Sequence, residues 1–352
     1  MKNEILDSEL QELAQREDSY IRSMRQQFHR FPEVAGEEQH TRALLQKELD
    51  KMGIPYQLLP GTGVLAVLSF PHPGRTIALR ADMDGLPIGE APENLLGPKS
   101  CISENPGRCH ACGHDAHMAM LLGAAHILLQ LRDRLCGQIL FCFEEGEESG
   151  TGIMAMLQAL EAYPIDTVFG IHVFAGWKAG KISVEAGPRM AGCAGVDFTV
   201  HGQAGHGSRP DLSINPIFAA AQVLTSLSSA WVNECSTTAP VTLGITSMET
   251  GEPSYNIFPE SVRIRGSLRF FEMAAGEKAL ATLKRIADGV AQAHRCTVTF
   301  EKNNAVAGGP VVNDAACAAF AAAALTPLLP AGMVGHCEPW FASESMARYL
   351  SR

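Results

Sequence analysis

The sequence predicts an α/β/α domain built on a central, mostly parallel sheet, with a smaller α+β domain inserted into it. Three observations carry that prediction. Short apolar β-rich runs alternate with helical patterns up to residue 172, the pattern of a largely buried sheet and the helices that cover it. From about residue 189 the texture changes to longer, half-exposed strands. After TVTFEK the chain returns through Gly308, Gly309 and Pro310 to an alanine-rich helix from about Asp314, with no internal repeat or low-complexity linker, so the second domain reads as an insertion. The expected boundaries are 1–188 with 302–352 for the first domain and 189–301 for the inserted one.

Taken in order, a helix is expected over about 7–30, stopping before Pro32. A second spans about 37–52, with Leu44, Leu45, Leu49 and Met52 on one stripe and Gly53 at its end. VLAVL (64–68), TIALRA (76–81), QILFCF (138–143) and TVFGIH (167–172) are bounded apolar runs that read as strands, and helical patterns fill 115–131 and 150–161. In the inserted domain, strands are expected at 194–201, 240–248 and 261–270, and helices near 214–230 and 273–294.

The 352 residues, 46% hydrophobic and 19% charged, describe a soluble globular chain long enough for two domains. A formal net charge of −10 with scattered basic residues argues against a nucleic-acid partner. The opening MKNEILDSELQELAQRED is charged and helical, and no apolar run has signal-peptide or membrane-spanning length, so a cytoplasmic location without membrane association is expected. Ten cysteines without a regular framework fit reduced thiols.

The strongest local signal is CHACGHDAH (109–117), which packs Cys112, His114, Asp115 and His117 into six positions before a helical stretch. Thiolate, imidazole and carboxylate are the side chains that bind zinc-like ions, and a turn at a helix start can aim several at one point. Cys109 and Cys112 also form a CxxC pair. No second pair exists for a zinc ribbon, and Gly113 stands where a c-type haem site needs histidine. A thioredoxin-like redox pair and chance clustering stay open on this segment alone. In RADMDGLP (80–87), Asp82 and Asp84 end a strand and face one side, or form an ordinary Asx-rich turn. His172 in FGIHV ends an apolar run, as a ligand or as a satisfied edge histidine. His206 in HGQAGHGSRPD (201–211) is flanked by glycine and presented on a loop or turn. FCFEEGEESGTG (141–152) concentrates Glu144, Glu145, Glu147 and Glu148, and such a run is ordinarily a solvated loop.

These signals fall in a recurrent α/β order, and ligands at carboxyl ends of sheet strands converge on one crevice. In that order and spacing the sequence resembles the amidohydrolase branch of the aminoacylase and carboxypeptidase superfamily of dinuclear metallohydrolases. That branch includes hippurate hydrolases, N-acyl-amino-acid amidohydrolases and plant auxin-conjugate hydrolases. FHRFPE, RADMDGLPI, NPGRCHACGHDAHMAMLLGAA, EEGEESGTG, GIHV, GQAGHGSRP, NIFPESVRIRGSLR and FASESMARYL carry the resemblance over nearly the whole chain. It implies that Glu147 is the general base, that Cys112, His114, Glu148 and His172 are metal ligands, and that Asp84 orients the metal-binding turn. Asp82 stands where other branches carry a ligand histidine. Glu144 and Glu145 fall at usually uncharged positions and read as a solvated or outer pair. His206 resembles the lid-domain histidine that reaches a substrate oxyanion, commonly across a dimer interface, and Asn256 and Arg269 match substrate-binding positions.

The implied protein is a cytoplasmic, metal-dependent amidohydrolase that splits N-acyl or N-aroyl amino acids, working as a homodimer through its inserted lid domain. Two divalent ions are implied, manganese or zinc, with cobalt and nickel as alternatives. Two departures stand against this. Family members continue beyond the segment matching FASESMARYL and supply a last ligand histidine that these 352 residues lack, and the usual Glu-Asp-Phe reads Glu344, Ser345, Met346. His336 lies in that region but precedes the motif. A non-catalytic or impaired homologue, or a dipeptidase of the same superfamily, is therefore the alternative.

Overall fold

The computed structural model describes residues 5–251 and 254–351, in two compact units. The first comprises Met1–Ser183 and Ala321–Gly335, the second Val184–Phe320 and His336–Arg352. The expectation had placed 302–352 wholly with the first domain. By packing, Val311, Ala347 and Trp340 gather on Met190, within the second unit.

In the first unit, α1 (Asp7–Arg30), α2 (Gln39–Met52) and α3 (His114–Gln130) cover a sheet of β1 (Tyr56–Leu58), β2 (Val64–Ser69), β3 (His72–Asp82), β6 (Cys136–Glu144) and β7 (Thr167–Gly170). The small strands β4 (Glu93–Asn94) and β5 (Gly97–Pro98) pair with each other apart from it. The sheet order is β1-β2-β6-β3-β7, with β3 parallel to β6 and β7, and β2 antiparallel to both β1 and β6. Four of the five strands thus run one way, as expected of a mostly parallel sheet.

Alternation explains the layers. Val64, Ala66 and Leu68 of β2, and Ile139, Phe141 and Phe143 of β6, share a core with Met24 and Phe28 of α1, Leu45 and Leu49 of α2, and Met118 and Leu122 of α3. Leu140 and Cys142 point the other way and are equally buried, while α4 (Ile153–Leu160) contacts β6. A strand stretch buried on both faces has to be apolar throughout, and ILFCF (139–143) is.

The second unit is a sheet of order β11 (Val241–Glu249), β13 (Ser261–Phe270), β9 (Gly192–His201), β14 (Thr297–Phe300), with β15 (Val306–Gly308) also on β9. Helices α5 (Pro216–Glu234) and α6 (Met273–Ala293) close its core over Val196, Phe198, Ile264 and Leu268. Two ribbons complete it, β10 (Gly205–His206) with β12 (Ile257–Phe258), and β8 (Gly187–Met190) with β16 (Val311–Asn313). The alanine-rich segment forms α7 (Ala315–Leu325), and α8 (Met346–Leu350) packs on β16.

Candidate metal centre

The parallel strands β3, β6 and β7 deliver their carboxyl ends to one edge of the first unit's sheet, where the polar residues gather. Asp82 ends β3 opposite Glu144 of β6. Asp84 follows, buried, and its carboxylate organises the next segment. Its Oδ1 accepts the backbone N–H of Glu147 at 3.1 Å and its Oδ2 that of Glu148 at 3.0 Å. The same Oδ1 takes Nδ1–H of His114 at 3.2 Å. One carboxylate therefore orients both the acidic turn and the histidine that opens α3.

The tautomers follow from these partners. With Nδ1–H donated to Asp84, His114 Nε2 carries a lone pair, and this buried atom has no hydrogen-bond partner among the described residues. It lies 3.8 Å from Glu148 Oε1. His172, two residues beyond β7, donates Nδ1–H to the carbonyl of Val173 at 2.7 Å, which bares Nε2 3.4 Å from Cys112 Sγ. Donor atoms of Cys112, His114 and His172 all lie within 4.8 Å of one another, and so do those of His114, Glu147 and Glu148. A ring nitrogen without a hydrogen bond, 3.4 Å from Asp82 Oδ2 and beside a thiol and the Glu148 carboxylate, each imidazole fixed through its other nitrogen, fits a divalent cation. Gly113 permits the approach: its φ is +87° and a Cβ there would stand 2.3 Å from Val173 Cγ2.

His117 shares the pocket but is not available as a ligand. Its Nδ1 meets Asp82 Oδ1 at 2.6 Å and its Nε2 accepts the backbone N–H of Val173 at 2.9 Å, so both nitrogens are committed. Asp82 is held in turn by Arg80 Nη1 at 2.8 Å, and Arg80 Nε reaches Glu144 Oε2 at 2.8 Å. Arg80, Asp82 and His117 thus form a buried row that fixes the Val173 peptide beside His172. Sequence reasoning missed this function of Arg80 and His117, and the signal was a charged residue two places before Asp82 in an apolar strand.

The solvated reading of Glu144 and Glu145 is corrected here. Glu144 is fully buried against Arg80, and Glu145 is half-buried with its Oε2 accepting from Gly63 N–H at 2.8 Å.

Electrostatics favour a cation at this edge. Burial pushes up the Cys112 thiol and the Glu148 carboxyl, and His114 offsets part of each rise. Burial also opposes a charged His114, yet Asp82 and Asp84 outweigh it and hold the imidazole well above its ordinary value. A divalent ion satisfies the same demand while releasing the ring proton and the thiol proton.

In the second unit His206 is exposed on β10. Its Nδ1 accepts Ser208 N–H at 3.1 Å, which leaves Nε2–H as an outward donor. Asn256 is its neighbour, the Asn256 carbonyl accepting Gly207 N–H at 2.7 Å. Arg269 is not brought to them. It stands on β13 opposite Cys193 of β9, eight positions along from the Ser261–His201 pair, roughly 26 Å at the rise of a strand. His336 cannot substitute as a ligand in this arrangement, because its Nδ1 meets Glu185 at 2.6 Å and its Nε2 Glu338 at 3.0 Å.

A mostly parallel sheet that gathers thiol, imidazole and carboxylate groups at adjacent strand ends defines a hydrolase with a metal centre. The chain belongs to peptidase family M20/M25/M40, whose model matches residues 78–351. It is 34% identical over 294 residues to the N-acyl-L-amino acid amidohydrolase of Geobacillus stearothermophilus, with 83% of this chain and 78% of that one covered. It is 31% identical to thermostable carboxypeptidase 1 of Saccharolobus solfataricus, over 95% of this chain and 84% of that one. A Bacillus subtilis dinuclear metal-binding peptidase of the M20 family superposes with a TM-score of 0.78 at 28% identity, covering 97% of this chain and 86% of that one.

Proposed function

We propose that this chain is a metal-dependent amidohydrolase that cleaves N-acyl or N-aroyl amino acids to a carboxylic acid and a free amino acid. The observation that carries the reading is the paired hold of Asp84 on Glu147 and Glu148, which sets two adjacent carboxylates at the mouth of a thiol and imidazole cluster. Cys112, His114, Glu148 and His172 would hold the divalent ions, which when bound supply polarisation of the scissile carbonyl and acidification of water. Glu147 is half-buried and on the same turn, which supports a role in taking the proton of the attacking water and returning it to the leaving amine. Two carboxylates would divide the labour, one holding metal and one moving the proton. His206, with Nε2–H outward, suits the role of oxyanion donor within a homodimer made through the second unit, and Asn256 beside it suits substrate contact. Arg269, on the far part of β13, is the weakest member of that set.

The test is amino-acid release from N-acetyl, N-benzoyl and dipeptide substrates by reduced protein loaded with manganese or zinc, beside Glu147→Gln. Loss of the general base should lower turnover by about 10²–10⁴-fold, with metal content unchanged. Release from dipeptides alone would replace the acyl-amino-acid reading with a peptidase. Absence of release across the panel, with metal bound, would sink both.

A further inference from the structure

Thr62 Oγ1 lies 2.7 Å from Glu38 Oε2 and 2.7 Å from Glu145 Oε2. A hydroxyl carries one proton and can donate to only one of these carboxyls. The second short contact is a hydrogen bond only if the other carboxyl brings a proton of its own. Glu38 is fully buried just before α2, and its Oε1 accepts Gly146 N–H at 2.8 Å. Glu145 keeps partial exposure, and its Oε2 also accepts the backbone N–H of Gly63.

We infer that Glu38 is a neutral carboxylic acid whose Oε2–H donates to Thr62 Oγ1, that Thr62 donates to Glu145 Oε2, and that this chain positions the turn bearing Glu147. Burial favours the acid form of Glu38 and so does the negative charge of Asp84, while the backbone N–H groups oppose it; Thr62 opposes it only as a donor to Glu38, and that proton is the one given to Glu145. The geometry shows what is positioned. Three successive backbone N–H groups, those of Gly146, Glu147 and Glu148, are taken by two buried carboxyls, the first by Glu38 and the next two by Asp84. A neutral Glu38 clamps the first without adding a third negative charge beside Asp84 and Glu145. Glu38 and Thr62 are therefore positioning residues, and the activity arm of their test rests on the hydrolase reading.

The experiment uses the full chain, metal-loaded, with Glu38→Gln and Glu38→Ala. Glutamine is neutral, can accept from Gly146 N–H and can donate to Thr62. Glu38→Ala should lower kcat at least 10-fold with KM near that of the wild type and metal content unchanged, and Glu38→Gln should restore kcat to within twofold. Independently of any substrate, the infrared spectrum at neutral pH should show a protonated-carboxyl band that Glu38→Gln removes. Absence of that band from the wild type, or a Glu38→Gln variant as slow as Glu38→Ala, would overturn the assignment. If the wild type hydrolyses nothing, the band alone decides, so failure of this assignment is distinguishable from failure of the hydrolase reading.

Discussion

Asp84 and Glu148 are joined through the backbone, Asp84 Oδ2 accepting Glu148 N–H at 3.0 Å, so the carboxylate proposed as a ligand sits on a turn held by a residue 64 positions away in the chain. Asp84→Asn replaces one accepting oxygen by an NH2 group that faces an N–H donor. The expected result is metal affinity lower by about 10–100-fold and stability lower by about 1–3 kcal/mol. Competition with a chromophoric chelator and urea denaturation measure the two. Unchanged affinity would refute the orienting role.

Arg80 neutralises two fully buried carboxylates, Asp82 and Glu144. Arg80→Met would strip the guanidinium from both in the interior, leaving Asp82 to its histidine contacts. Stability should fall by about 3–5 kcal/mol, far more than for loss of the exposed Arg22–Asp18 pair. Chemical denaturation of the two variants side by side makes the comparison.

His117→Ala removes the acceptor of Val173 N–H and the ring packed on His172, and leaves all four proposed ligands in the sequence. Metal affinity should drop about 10–100-fold while Cys112, His114 and Glu148 remain. A variant that binds metal as tightly as wild type would show that the Val173 peptide holds His172 unaided.

Thiol labelling should divide by burial. Exposed Cys136 and Cys317 should react first with iodoacetamide, while Cys109, Cys142 and Cys296 resist until unfolding. Burial pushes the Cys142 thiol well up, which adds to its inertness. Cys112, half-buried, should label only after chelation. Peptide mapping by mass spectrometry reads each site, and labelling of Cys112 at equal rate with and without metal would remove it from the ligand set.

His336 lies between Glu185 and Glu338, which raise its imidazole above the ordinary 6.5. A raised folded-state value adds stability that is fully present below the ordinary value and is lost as pH rises through the folded one. The group is solvent-exposed, so the effect is small and best read by NMR titration of the ring. An unshifted His336 would mean that the two glutamates do not hold it in solution.

Much of this fold was legible because period and composition agree. VLAVL and QILFCF became β2 and β6, and the helix expected over 7–30 is α1 (Asp7–Arg30). Glycine and proline punctuation marked the elements well, while β1, β4, β5, β8, β15 and β16, each of two to four residues, carry too little pattern to see. The proposed ligands stood out because thiol, imidazole and carboxylate types sat together at a helix start and just beyond strand ends. The groups that hold them did not: Arg80 finds Glu144 across 64 positions and Thr62 finds Glu145 across 83. Pairing at that range is made by register and burial. An acidic run reads as solvated whether or not a cation or a hydroxyl waits opposite.

Arg80, Asp82 and Asp84 alternate along β3 and just beyond it, with Ala81 and Met83 between them and Leu79 before. A slip of β3 by one residue against β6 would exchange the whole polar row for the apolar one. Such a molecule would have no centre rather than a weakened one. Assembly of the centre is therefore digital, and the specific activity of a preparation becomes a count of chains whose sheet has locked in the right register.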